Sequence, residues 1–404
     1  MVSKKVSSLV KELEDPNHPL LGPNIKAFYF FGFLQSYHTI QNICYKAWYT
    51  IGFFYVVTQW IELWLLKGDL NKALENLSIS TLAIMSTTKG VTTVIWQKYW
   101  KELLENISTE EKKQINKKDN TTMKLMKNYK NYSRIITYFY WFLVSATVSM
   151  VITSPFLRYM YLKSRINDQN NSTISYPEIA SSWYPFDKTN ILIHSMKCFL
   201  DAIMLGQGAT VIATYDSTVI VIMIFLKGQM RILQENCKKM FQEKQISNHV
   251  VINRIKNCYE HHQFLVRQHN LLNSLLSPIM FMYVLLCSIM ICCSVYQLTL
   301  EEATTYQRLW FVEYTIAIVF QLFLYCWHSN EVAVESDLLD RGLYESDWWK
   351  SDINIRPIFI LLAGKLNRIF VLEAGPFTTL SVATFIKIMK GAYSFYTLFT
   401  QMQK

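Results

Sequence analysis

Four side chains in one polar stretch have the chemistry of metal ligands: Cys237, Cys258, His261 and His262. Thiolates and imidazoles bind zinc when they come in closely spaced pairs, and this spacing matches none of the common patterns. They read as the polar surface of a helix. No glycine-rich phosphate loop, HExxH or GxSxG occurs, so neither an enzyme nor a cofactor is expected. Charged residues inside apolar runs are better clues. Asp201 and Asp216 fall within 191–226, and Lys387 and Lys390 within 376–400. A lone carboxylate at mid-bilayer costs roughly 2.5–3.5 kcal/mol, so each needs a partner or water. Asp216 is expected to make a helix-to-helix polar contact, whereas Asp201 could face a vestibule. Lys387 and Lys390 share a helix face. They either snorkel to lipid headgroups or face water near an ion path, and both readings stay open.

The elements that must position these groups are apolar runs. Of 404 residues, 51% are hydrophobic and 17% charged, below the quarter usual for a soluble protein. Crossing a bilayer takes roughly 20 mostly apolar residues as helix. Candidate spans are 45–66, 73–96, 134–156, 191–226, 272–297, 309–327 and 376–400. The fourth is longer than needed, so one end should project into water. The second is the most polar, with Glu75, Lys89 and many Ser and Thr; it tolerates a bilayer only by facing other helices or a cavity. Residues 227–271 and 328–350 mix apolar and charged residues at helical spacing. They are expected to continue the fourth, fifth and sixth helices as a cytoplasmic anchor, which takes in 227–271 and 328–374. The fold class is thus an all-α membrane protein of seven transmembrane helices in one domain, 1–404. Cys292 and Cys293 read as reduced apolar fillers.

Charge sets the orientation. The net charge of +10 reflects cytoplasmic loops rich in Lys and Arg, not nucleic-acid binding. The segments on the N-terminal side of the membrane hold 26 Lys and Arg against 8 on the other side. The N-terminus, 1–44, is therefore expected in the cytosol and the C-terminus outside. The first residues lack the apolar core and cleavage site of a signal peptide. Asn170 and Asn171 begin overlapping glycosylation sequons in the outer loop 157–190. Further sequons at Asn106, Asn120 and Asn131 lie on the inner side. None of the eight cysteines lies in an outer loop, so no extracellular disulfide framework is implied.

The last third carries a pattern: Tyr344 and Trp348, a basic residue before a leucine-rich turn, Ala374-Gly375-x-Phe377, then a helix ending in Tyr393-Ser394-x-Tyr396. In this order, over about 65 residues, it resembles the insect odorant receptor family. The related gustatory receptors end differently, and here Ser394-Phe395 and Gln401-Met402 form only a degenerate version of their ending. The family's coreceptor has an extra insertion between the fourth and fifth spans, which this chain lacks, so it resembles a ligand-tuning subunit.

The resemblance implies a non-selective cation channel in the plasma membrane, in the dendrite of an olfactory sensory neuron. Four subunits, coreceptors among them, would surround one pore lined by the last helix, 376–404. It places Leu398 in an apolar gate ring, with Thr397, Thr400 and Gln401 as polar neighbours; such rings can gate by dewetting. It places a small neutral volatile in the outer half of the bundle. The second span would offer Ser80, Thr81, Ile84, Met85 and Thr88, and the third Ser145, Val148, Ser149 and Ile152. The fourth would offer Cys198, Asp201, Ala202 and Leu205, and the sixth Phe311, Tyr314 and Ile318. Such a lining is mostly apolar with sparse hydroxyls. The partners implied are the coreceptor, the volatile, permeant cations and membrane lipid. A gustatory-type channel is the nearest rival. A G-protein-coupled receptor would reverse the orientation, and a transporter would show an internal repeat.

Overall fold

The computed structural model describes residues 13–34, 40–166, 178–185, 191–241, 247–299 and 305–402. The chain is all-α apart from one short hairpin. In order come α1 (Gly22–Phe30), α2 (Ile40–Leu65), α3 (Leu70–Ile95) and α4 (Gln97–Asn116). They are followed by α5 (Asn120–Ile166), α6 (Ile191–Lys238), α7 (Asn248–Thr299) and α8 (Thr305–Asp337). The chain closes with α9 (Arg341–Tyr344), α10 (Arg356–Leu366), strands β1 (Glu373–Ala374) and β2 (Thr378–Thr379), and α11 (Val382–Met402). Helices α2, α3, α5, α6, α7, α8 and α11 correspond to the seven apolar runs. On length and composition, α5 to α8 are apolar enough to cross a membrane. Helix α2 carries much of its apolar surface as Tyr and Trp, and α3 owes its polarity to Ser, Thr and Lys89.

Burial ranks the helices. Of the most apolar stretch of α6, 83% is buried, against 11% for α5. From Val219 to Leu226 no side chain of α6 is more than 2% exposed. A helix apolar on every side has to sit at the centre, and α6 does so, packed by α3, α5, α7 and α8. The outward face of α5 shows Phe139 and Phe142, as a lipid-facing helix would.

Two segments depart most from the sequence reading. The last helix begins at Val382, not at 376. Residues 373–379 form the antiparallel hairpin instead, pairing Glu373 with Thr379 and Ala374 with Thr378. Gly375 turns it with φ +70°, and an added Cβ would fall 2.6 Å from the Phe281 ring. Its N–H donates to the Ser277 carbonyl at 3.1 Å, so glycine is required both by conformation and by close approach to α7. The basic segment 97–132, between the second and third spans, reads from the sequence as an inner loop, yet from Asn120 on it is the start of α5. Before that, 97–116 is helix, with Trp100, Leu103, Leu104 and Ile107 buried on one face. That spacing is the amphipathic signature.

At this end of the bundle polar ties join the apolar packing of Leu233, Met240, Leu339 and Leu343. Arg231 of α6 pairs with Glu335 of α8 at 2.9 Å, and one helical turn away Lys227 pairs with Glu331. Lys238 reaches Glu345 at 3.0 Å. Arg134 holds the N-terminal segment through Glu14, at 2.5 and 2.7 Å. Of the cysteine and histidine group, Cys237 and Cys258 are buried, and His261 lies 3.0 Å from Gln229.

Glu111 of α4 accepts from the Leu20 N–H at 3.0 Å and the Tyr129 hydroxyl at 3.2 Å. Burial nonetheless pushes its carboxyl up to about 7. A raised carboxyl favours folding below its unfolded value and loses that contribution as pH rises through the folded one. The stability difference between wild type and Glu111→Gln should therefore change between about pH 4.5 and 7. Thermal unfolding of both in detergent across that range checks this. The wild type should gain on the variant as pH falls, and parallel curves would refute the assignment.

Candidate functional site

Asp201 and Asp216 lie fifteen residues apart on α6, about 22 Å along the helix axis, and both are fully buried. Between them a cavity of about 120 Å³ opens among α2, α3, α5, α6 and α8. Among the described residues its lining has no charged side chain.

The floor of the cavity is a polar knot. Lys89 of α3 lies 2.6 Å from Asp216 Oδ1, and neither side chain is more than 1% exposed. Tyr325 donates to Oδ1 at 2.6 Å. Tyr140 and Gln321 donate to Oδ2 at 2.7 and 2.5 Å. The Lys89 ammonium also lies over the rings of Tyr283, Tyr215 and Tyr325, at 5.2 to 5.7 Å from their centroids. A charge buried here is tolerated because every face of it is answered. Tyr140 and Gln321 are also cavity walls, so the void rests directly on groups that join α3, α5, α6 and α8.

The opposite rim is built on Asp201. Its Oδ1 accepts from Tyr55 at 3.0 Å, Ser182 at 3.3 Å and Tyr184 at 3.4 Å. Tyr55 lines the cavity with Tyr49, Gly52 and Val56 of α2, a helix to which the sequence reading assigned no lining. On α8, Tyr314 donates to the Ser78 carbonyl at 3.1 Å and stacks on Trp310 at 5.5 Å.

Of the residues named from the sequence, the cavity brings together Val148, Leu205, Tyr314 and Ile318. On α3 the lining is Ile79, Leu82, Ala83, Ser86 and Thr87, one position or so around the helix from the named set. Ser80 and Thr81 are buried and turn back on the Leu77 carbonyl, at 3.3 and 2.6 Å. Met85 is buried, and Ile84 and Thr88 are half-buried, all off the lining. On α5, Ser145 and Ser149 point outward, bonded at 2.8 Å to the Trp141 and Ser145 carbonyls, and Ile152 is half-buried beside them. Cys198 and Asp201 are buried toward the rim, Ala202 is half-buried, and Phe311 is buried against Trp310.

On α11, Leu398 is 53% exposed, Gln401 is exposed and Thr397 is half-buried. Lys387 and Lys390 are exposed. The side chain of Thr400, and the sequons at Asn170 and Asn171, lie outside the described residues.

The family model described as "7tm Odorant receptor" matches residues 69–393, most of the chain. The chain belongs to the insect odorant receptor family. Odorant receptor Or2 of Anopheles gambiae is 26% identical over 144 residues, 36% of this chain and 38% of that protein. The match therefore spans less than half of the mosquito relative's length. Odorant receptor 13a of Drosophila melanogaster is 20% identical over 369 residues, 87% of this chain and 86% of that one. In fold, the odorant receptor resembles the solved insect olfactory receptor OR5 from Machilis hrabei in complex with eugenol. The TM-score is 0.77 at 16% identity, covering 96% of this chain and all of that one. An all-α membrane receptor fold thus holds the cavity and the knot beneath it.

Proposed function

We propose that this chain is the odorant-tuning subunit of a ligand-gated, non-selective cation channel. A small neutral volatile occupies the cavity between Asp201 and Asp216. Four subunits, coreceptors among them, surround a pore lined by α11. The observation that carries this reading is the uncharged cavity resting on Tyr140 and Gln321 in a chain of this family. A void so lined suits an apolar guest, and its floor joins four helices whose arrangement a guest can bias. The ligand must bind the open arrangement better than the closed one.

The N-terminus lies in the cytosol and the C-terminus outside, supported by the 26 to 8 distribution of Lys and Arg. The ties between α6 and α8 then form the cytoplasmic anchor. The chain resides in the plasma membrane of an olfactory sensory neuron dendrite, glycosylated at Asn170 or Asn171. Whole-cell current from the chain with an insect coreceptor, screened with volatile esters, alcohols, aldehydes and aromatics, tests the reading. A fast cation current that needs both chains is expected. Its absence from a pair shown to reach the surface would count against it.

Leu398 forms the gate. Its side chain, half exposed on one subunit, completes an apolar ring when four copies meet, and such a throat excludes hydrated ions by dewetting. Leu398→Ser should raise the standing current in the absence of ligand several-fold. Unchanged leak and permeation would remove Leu398 from the gate.

A further inference from the structure

The hydroxyls around the cavity are not equivalent. Tyr49, Tyr55, Tyr140 and Tyr314 each give their proton to a protein acceptor, at 2.7 to 3.1 Å. Ser86 gives its proton to the Ala83 carbonyl at 2.9 Å, and Thr147 bonds Glu313 at 2.6 Å. The amides of Gln207 and Gln321 are held by the Trp48 carbonyl and Asp216, each keeping one further N–H. Thr87 differs: it lines the cavity, and its hydroxyl has no hydrogen-bond partner among the described residues.

From this we infer that Thr87 selects the ligand's polar end, and that the cavity takes a hydrocarbon body bearing a single oxygen function. A guest oxygen placed at Thr87 gains a hydrogen bond that no other lining hydroxyl has a proton to give. Beyond Thr87 and the spare N–H of Gln207 and of Gln321 the lining has no free donor among the described residues, so a guest with many polar groups would leave some of them unmet, which is costly in an apolar void. Charged guests find no counter-ion on the lining. Size points the same way, because a comparable engineered apolar cavity of about 150 Å³ holds benzene. The inference rests on the cavity being the ligand site.

The test uses benzyl alcohol, benzaldehyde and ethylbenzene, which have equal heavy-atom counts. Their dissociation constants would be measured by ligand-observed NMR on the purified receptor complex in lipid nanodiscs. Thr87→Val keeps the shape and removes the hydroxyl. It should weaken benzyl alcohol and benzaldehyde by about fivefold, the worth of one neutral hydrogen bond, and leave ethylbenzene unchanged. Thr87→Ser should restore the two oxygenated ligands. Equal shifts for all three ligands, or none, would overturn the role of Thr87. Ala317→Phe, which fills the void, separates this from failure of the site itself. If it abolishes all three while Thr87→Val shows no selectivity, the cavity stands and Thr87 falls. If Ala317→Phe leaves ethylbenzene bound, or the unaltered complex binds none of the three, both readings fall.

Discussion

Asp216→Asn should destabilise the protein by about 3–5 kcal/mol, the cost of leaving a buried cation without its counter-charge. Asparagine keeps one acceptor oxygen for the donors that converge there. It cannot neutralise Lys89, which is fully buried and 2.6 Å away. Lys89→Met should cost clearly less, because Asp216 keeps the hydrogen bonds from Tyr140, Tyr325 and Gln321. Combining the two substitutions should recover part of the loss from Asp216→Asn alone, since no unpaired charge then remains. Thermal unfolding in detergent and the fraction of protein reaching the cell surface report the order. If the single Asp216→Asn protein were as stable as wild type, the knot would not be holding α3, α5, α6 and α8 together.

How much of this was legible beforehand depended on the kind of signal. The central place of α6 is written in its run of apolar residues from Val219 to Leu226, which leaves no face for water. That Asp216 needed a helix-to-helix partner followed from the cost of a lone carboxylate in a bilayer. Its partner did not, because Lys89 is 127 residues away in sequence and nothing local joins the two. The cavity face of α3 was illegible for a different reason. Polar residues stand on all sides of this helix, so no apolar stripe fixes its rotation, and its cavity face cannot be told from a face one position around. Most of the apolar lining on α5, α6 and α8 could be placed only by region. Helix α4 is legible in the spacing of Trp100, Leu103, Leu104 and Ile107, although its many charged residues keep its mean hydropathy low.

The second large effect concerns the cavity. Ala83→Phe should abolish responses to every volatile that activates the wild-type channel. Ala83 sits on the α3 wall, and a phenyl ring there would occupy much of a void of about 120 Å³. Overpacking a filled core typically costs 1–3 kcal/mol, but here the ring has space to enter, so the protein should still fold and reach the surface. The contrast with Asp216→Asn separates the two roles: one removes a structural tie, the other removes room for a guest. Surface labelling with dose–response currents from the same cells distinguishes them. Wild-type sensitivity in Ala83→Phe would place the ligand elsewhere.

The most direct test is to locate the ligand. A structure of the assembled channel with an activating volatile should show the guest between Tyr55 and Tyr140, bounded by α2, α3, α5, α6 and α8. Density for the guest at a subunit interface or in the pore, with this cavity unchanged, would contradict the account.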